Sequence, residues 1–305
     1  MRVGPYDIAV TNLEKVFFPE DGLTKGDLIG YYLSVADAML PHMRGRPVSM
    51  ERFPEGVGGE GFYQKEIPPY FPDWVDRVSV ELKDDRSQFQ VVCEKAATLV
   101  FLADQGCITP HTWLSRRERL HDPDKMIFDL DPPGEDFEPV RRAAFLLKEF
   151  ADELRMPSYV MTTGSSGLHV VIPLDSTQDF DAVRTFAQAM ATSLASRHAA
   201  SLTTEIRKEK RRGRIFLDTL RNAYGQTSVA PYAVRPRAGA PVATPVSWDE
   251  LRDTSLHARS YTLRTIPGRL SVMGDPWTEI YSQGISLASR TERLREQTGL
   301  SRWTT

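Results

Sequence analysis

Lys125-Met-Ile-Phe-Asp-Leu-Asp-Pro132 is the stretch on which the reading of this chain turns. In an extended strand, side chains two apart share a face. Asp129 and Asp131 therefore project together, while Phe128 and Leu130 turn into a core. Two carboxylates on one face at the end of an apolar strand repel each other and lose solvation, and a cation offsets both penalties. Two divalent ions about 3.5–4 Å apart, clamping the attacking and leaving oxygens of a phosphoryl transfer, are one good solution. The same triplet, running into the Pro132-Pro133-Gly134 turn, is equally compatible with two solvated aspartates, so its surroundings must decide.

Two further strands share the character of this one. In Arg214-Ile-Phe-Leu-Asp-Thr-Leu220, Asp218 lies among apolar residues on the face of Phe216. In Gly167-Leu-His-Val-Val-Ile-Pro173, His169 opens an apolar strand directly after Thr162-Thr-Gly-Ser-Ser-Gly167. That turn of small residues offers backbone N–H groups and the Ser165 and Ser166 hydroxyls to phosphates. Taken singly, Asp218 and His169 read as hydrogen-bonded core residues. Three acidic strand positions and a glycine-flanked histidine together point to a metal and phosphate site.

Working outward, strand-like runs are expected over residues 47–53, 78–82, 125–130, 159–162, 168–173 and 214–220. Thr24 is an N-cap with Asp27 at N3, followed by Leu28, Tyr31, Val35 and Met39 at helical spacing. Further helices are expected over 138–154 and 181–197, and Ser247-Trp-Asp-Glu250 is a capping box that opens a short fourth one. Strands grouped with helices between them give an α+β class: mixed or antiparallel sheets flanked by helices, with an N-terminal helical and strand extension packed on the catalytic core. A doubly wound fold is the alternative. No internal repeat or long linker is visible, so a single domain over 1–305 is expected, with an N-terminal part over 1–110 and the core over 111–305.

The 305 residues, 41% of them hydrophobic, suffice for a complete enzyme. No apolar run of about 18 residues marks a membrane span, and the first residues lack the apolar stretch of a signal peptide. Cys93 and Cys107 are the only cysteines, so no disulfide framework is expected and the chain reads as cytoplasmic. A net charge of −3 argues against a bulk nucleic-acid coat. Its distribution matters more. Arg207, Lys208, Lys210, Arg211, Arg212 and Arg214 crowd together with only Glu209 opposing them. Such a run neutralises phosphates locally, or is simply a solvated loop.

Phe-Asp-Leu-Asp-Pro-Pro, Thr-Gly-Ser-Ser-Gly-Leu-His-Val and Ile-Phe-Leu-Asp resemble the three motifs of archaeo-eukaryotic primases. More closely, the chain resembles the polymerase domain of bacterial DNA ligase D and the stand-alone prokaryotic primase-polymerases. Asn12-Leu-Glu-Lys-Val-Phe-Phe-Pro19, His111-Thr-Trp-Leu-Ser115, the stretch from Val229 to Arg237, Pro245 to Glu250, Tyr261 to Arg264 and Gly274-Asp-Pro-Trp277 extend the likeness over nearly the whole chain.

The resemblance implies template-directed addition of nucleotides to a 3′-hydroxyl at gaps or double-strand breaks. Two Mn²⁺ or Mg²⁺ ions would be held by Asp129, Asp131 and Asp218. It implies nucleotide contacts from Ser165, Ser166 and His169, with His111 and Arg235 contributing from outside the motifs. Asn12, Lys15 and Lys25 would hold a downstream 5′-phosphate, and Phe62 and Tyr63 would stack on the template. Lys208, Lys210, Arg211 and Arg212 would line the DNA. Implied partners are gapped or 5′-phosphorylated DNA, ribo- or deoxynucleoside triphosphates, Ku and a separately encoded ATP-dependent DNA ligase, in a bacterial, nucleoid-associated setting. The resemblance departs at Ser166, where the turn usually carries a basic residue. A non-catalytic DNA-end-binding module with the same fold is the competing reading. A phosphatase of the haloacid dehalogenase type wants Thr or Val where this chain has Pro133. A glycosyltransferase leaves the basic run and the matching flanks without a role.

Overall fold

The structure, a computed structural model, describes residues 1–298 apart from 83 and 85. By packing, the chain divides into two units, each built on its own sheet.

The first unit holds Met1–Glu118, Thr227–Thr244 and Arg259–Asp275. Hairpins β1 (Arg2–Val3) with β2 (Tyr6–Asp7) and β3 (Val16–Phe18) with β4 (Leu23–Thr24) lead into α1 (Lys25–Ser34). Thr24 and Asp27 form the expected reciprocal capping box. The helical spacing runs on past the end of this helix. At Val35 (φ −103°, ψ 4°) the backbone leaves helical geometry, and a separate helix, α2 (Ala36–Met43), begins. Next come β5 (Pro47–Arg52), β6 (Phe62–Gln64), β7 (Arg77–Glu81), β8 (Ser87–Val92), α3 (Ala96–Asp104) and β9 (Cys107–Trp113). With β15 (Thr227–Val229) they form a sheet in the order β15-β9-β5-β8-β7, β6 pairing β5. Helix α6 (Ile266–Met273) closes this unit's part of the chain. Cys93 and Cys107 are buried and unlinked, and burial pushes the Cys107 thiol up to about 12.

The second unit holds Arg119–Gln226, Pro245–Ala258 and the described residues from Pro276 onward. Its strands are β10 (Lys125–Asp131), β11 (Tyr159–Thr162), β12 (Leu168–Pro173), β13 (Leu202–Thr203), β14 (Ile215–Asp218) and β16 (Thr244–Val246). They lie in the order β13-β14-β10-β12-β11-β16. The ladders β10–β12, β10–β14 and β11–β12 are antiparallel, and β13–β14 is parallel. This is a mixed α+β sheet. The doubly wound alternative, which needs parallel strands joined by helical crossovers, does not hold. Helices α4 (Glu138–Glu153) and α5 (Phe180–Arg197) pack against β10, and α5 also meets α7 (Ala288–Thr298). Asp179 caps α5 through the Ala182 N–H, so the helix starts one residue before the expected 181.

The Ser247–Glu250 box forms as expected, each side chain accepting from the other residue's N–H. It opens only a single 3₁₀ turn, Glu250–Arg252, in place of the expected helix. No helix among the described residues is long and apolar enough to cross a membrane.

Candidate active site

Strand β10 lies inside its sheet, so both of its edges carry partners. Asp129 stands opposite His169 on β12 and opposite Asp218 on β14. The three form a row across the sheet, and Asp131 follows one pleat further on, opposite Phe216. His169 Nε2 is 3.5 Å from Asp129 Oδ2. Asp129 is only 7% exposed.

Burial, then the charges of Asp129 and Asp218, push the Asp131 carboxyl up to about 6. Burial also raises Asp218, with Asp129 adding to it. The Leu220 N–H and the charges of Arg221 and Arg211 oppose that shift. Arg211 is set into place to do so. Its guanidinium lies 4.0 Å over the Phe216 ring and donates to the Glu205 and Ile206 carbonyls. Arg221 Nη2 stands 3.6 Å from Asp129 Oδ2. No group of three or more Asp, Glu, His and Cys side chains among the described residues is closed to metal-ligating geometry.

The turn before β12 is organised by one side chain. Thr163 Oγ1 accepts from the Ser165 and Gly167 N–H groups and donates to the Gly167 carbonyl, which also takes the Thr163 N–H. Two of the backbone donors expected to face phosphates are therefore spent inside the turn. Ser166 is exposed and Ser165 half-buried.

The model of the LigD primase-polymerase domain family matches residues 24–277. The chain belongs to that family. It is 32% identical over 276 residues to the multifunctional non-homologous end joining protein LigD of Mycolicibacterium smegmatis, covering 88% of this chain and 35% of that protein. Against LigD of Pseudomonas aeruginosa the identity is 32% over 296 residues, covering 95% and 35%. Against the bifunctional LigD of Bacillus subtilis it is 33% over 277 residues, covering 89% and 44%. The chain thus spans roughly a third to less than half the length of these relatives. Among solved structures, the polymerase domain of Mycobacterium tuberculosis ligase D in complex with DNA superposes with a TM-score of 0.85 at 28% identity, covering 91% of this chain and 99% of that one.

In this LigD primase-polymerase chain the remaining residues singled out in the sequence fall into three groups. His111, on β9, is 8% exposed, and its Nε2 lies 3.1 Å from Glu51 Oε2 on β5. Burial alone would raise Glu51; the His111 hydrogen bond and charge, with Arg235, outweigh it and hold the carboxyl below its usual range. The structure thus brings His111 and Arg235 to one carboxylate that the sequence reading missed. Glu51 is an unremarkable strand residue until β5 and β9 are paired.

Phe62 and Tyr63 are exposed, 46% and 60%. As neighbours on β6 they point to opposite faces. Tyr63 packs edge-on against His111, and Phe62 lies 5.6 Å beneath the Arg52 guanidinium. They do not form a single shared platform.

Lys15 and Lys25 differ more sharply. Lys15 pairs with the exposed Glu55 at 2.7 Å. Lys25 is 5% exposed, 2.7 Å from the buried Asp104, and its ammonium also donates to Thr11 Oγ1. Asp104 in turn accepts from the Thr11 N–H. Lys25 is therefore no open cation. It ties down the turn in which Asn12, at φ 51°, accepts from the Lys15 N–H. Lys25→Ala strands a buried carboxylate and is expected to cost about 3–5 kcal/mol. Adding Asp104→Leu should recover most of that. Urea unfolding of the two proteins measures both numbers, and an unchanged midpoint for Lys25→Ala would remove the buried-pair account.

The basic run divides as well. Arg207, Lys208, Lys210 and Arg212 are exposed, whereas Arg211 is turned to the carboxylates. Two residues after Asp218 escaped the sequence reading altogether. One is Arg221. The other, Asn222, is fully buried and bonds the N–H and the carbonyl of Ile127, which carries the ladder past the end of β14. Their types are ordinary, and only the strand pairing shows what they touch.

Proposed function

We propose that this chain is a template-directed nucleotidyltransferase that extends a primer 3′-hydroxyl at gaps or double-strand breaks and releases pyrophosphate. The observation that carries this is the row of Asp129 and Asp218, with Asp131 beside them. These are crowded acids on one sheet face, with Asp131 held up to about 6. An all-oxygen, over-charged donor set fits hard divalent ions, Mg²⁺ or Mn²⁺, rather than zinc or copper. Bound there, such ions supply activation of the 3′-hydroxyl and neutralisation of charge on the leaving phosphate. Asp129, Asp131 and Asp218 would hold them.

The other residues orient the substrates. His169, Ser165 and Ser166 would contact the nucleotide's phosphates beside the carboxylates. Phe62 and Tyr63 offer exposed rings for stacking on template bases, worth about 1–3 kcal/mol per base. Lys15 and Asn12, on the turn that Lys25 anchors, take the downstream 5′-phosphate. Lys208, Lys210 and Arg212 run along the DNA backbone as diffuse positive charge. The likeness to LigD non-homologous end joining proteins supports an end-joining setting, for which we propose Ku and an ATP-dependent DNA ligase activity as partners and ribonucleotides as preferred substrates.

Primer extension on a short-gapped duplex bearing a downstream 5′-phosphate tests this, with Mn²⁺ and either nucleotide class. Template-matched extension by the wild type and none by Asp129→Ala/Asp131→Ala is expected. Binding of the gapped duplex with no extension would instead make the chain a DNA-end-binding module.

A further inference from the structure

Among the described residues, Arg221 is a cation at the acidic row that neither the sequence reading nor the proposed reaction has used. It follows Asp218 by three positions, on the 3₁₀ turn Leu220–Asn222. That turn is fixed at both ends. The Leu220 N–H donates to Asp218 Oδ1 at 2.7 Å, and the Asn222 carboxamide locks onto Ile127 of β10. The base of Arg221 is thus held to the same strands as the carboxylates, while its side chain is 43% exposed and able to swing.

Its guanidinium is held only loosely. Nη2 lies 3.6 Å from Asp129 Oδ2, too far for a good hydrogen bond, and Nε is buried with no hydrogen-bond partner. Arg211, by contrast, is fully engaged by two carbonyls and the Phe216 ring. His169 Nε2 approaches the same oxygen, Asp129 Oδ2, at 3.5 Å, and His169 Nδ1 is buried without a partner. Arg221 and His169 therefore converge on one carboxylate oxygen, and each keeps a buried nitrogen without a hydrogen-bond partner. The turn that borders this site, Thr162 to Gly167, contains no cation.

We propose that Arg221 is a stand-in counter-ion for Asp129: it neutralises the carboxylate until a divalent ion takes that oxygen, and its released guanidinium then binds the phosphates of the incoming nucleotide. The proposal rests on the reading of Asp129, Asp131 and Asp218 as the metal-holding residues. A planar guanidinium with several unused donors suits a phosphate better than it suits one carboxylate oxygen at 3.6 Å. Arg221 would thus supply a positive charge that the Thr162–Gly167 turn lacks. Ion binding and nucleotide binding are then coupled, because one side chain is exchanged between Asp129 and the phosphate.

The test measures two equilibria on the full chain without DNA: Mn²⁺ binding alone, followed by paramagnetic resonance of free Mn²⁺, and binding of ATP at saturating Mn²⁺. Arg221→Gln and Arg221→Ala are compared with the wild type. The expected outcome has opposite signs. Without its competitor, Mn²⁺ binds about three- to tenfold more tightly, as for loss of a partly exposed ion pair. ATP binds about tenfold or more weakly, with Arg221→Lys recovering part of the loss. A residue with a merely structural role would weaken both. Weakening of both, or no change in either, overturns the proposal. If the wild type itself binds no Mn²⁺, the carboxylate reading fails first, and that result is visible before any variant is made.

Discussion

Asp131→Asn protein is expected to lose template-directed extension by about 10³-fold or more and yet to resist unfolding better than the wild type at pH 7. The loss follows from removing one of three charges that would hold the ions and replacing it with a weak neutral ligand. The gain follows from the same charge. With Asp131 raised to about 6 in the folded protein against an ordinary value of 3.8, folding favours its protonated form.

The sign is fixed by linkage. Stability contributed by this group is fully present below the unfolded value and is lost as pH rises to the folded one. At pH 7 Asp131 is therefore a cost that asparagine does not carry. A shift of that size corresponds to about 3 kcal/mol at full weight. Solvent screening of a carboxyl that is not deeply buried reduces the expectation to about 1–2 kcal/mol. Denaturant unfolding in EDTA across pH 4–8 should show the two proteins alike near pH 4 and diverging up to pH 6. Added Mn²⁺ should cancel or reverse the difference, since only the wild type gains binding energy in the folded state. A variant less stable than the wild type at pH 7 in EDTA would mean that Arg211 and Arg221 already outweigh the repulsion.

Gly167→Ala is the second large effect expected, and it needs no change of charge. A Cβ at this position would sit 2.2 Å from the Leu130 carbonyl oxygen and 3.2 Å from its carbon. Those atoms are backbone, so relief requires β10 and the Thr163 turn to separate. Leu130 lies between Asp129 and Asp131, and any such shift displaces both carboxylates. Overpacking against backbone is expected to cost about 3 kcal/mol. A displacement approaching 1 Å reduces extension by about 10²-fold. Gly134→Ala is the matched control, because a Cβ there meets nothing within 4 Å. Thermal unfolding and extension assays of the pair separate strain from a general effect of alanine. Wild-type behaviour of Gly167→Ala in both would show that the turn does not bear on β10.

The sequence made the acidic face of β10 readable because alternation of charged and apolar residues at period two survives in Phe-Asp-Leu-Asp. Asp218 and His169 were legible for the same reason, and antiparallel pairing then puts all three in one row. Elements without a pattern were not legible. Helix α3 is Ala-Ala-Thr-Leu-Val-Phe-Leu-Ala-Asp, buried from Ala97 through Asp104, so no polar face marks its period. Strand β9 is buried at every position and contains a proline, which leaves neither alternation nor propensity to follow. At Val35 the spacing misled outright, since Leu28, Tyr31, Val35 and Met39 suit one helix and the break has no local signal. Side chains that act by partnership, such as Glu51, Arg221 and Asn222, carry no mark in the sequence. The burial of Lys25 was likewise invisible, because its partner Asp104 is 79 positions away and nothing local announces the pair.

The way the chain passes back and forth between its two units also sets an order in time. Strand β9 lacks its outer neighbour until β15 has been made, and Tyr31 waits for the Tyr232 carbonyl, 201 residues later. His42 meets Asp275 across a separation of 233 residues. A ribosome that has released the first hundred residues has therefore delivered most of one sheet without the pieces that finish it. Translation must run past Asp275 before that unit can close. Until then its unfinished edge is open to chaperones and proteases, and a cut after Glu118 would yield a fragment that never acquires its last strand.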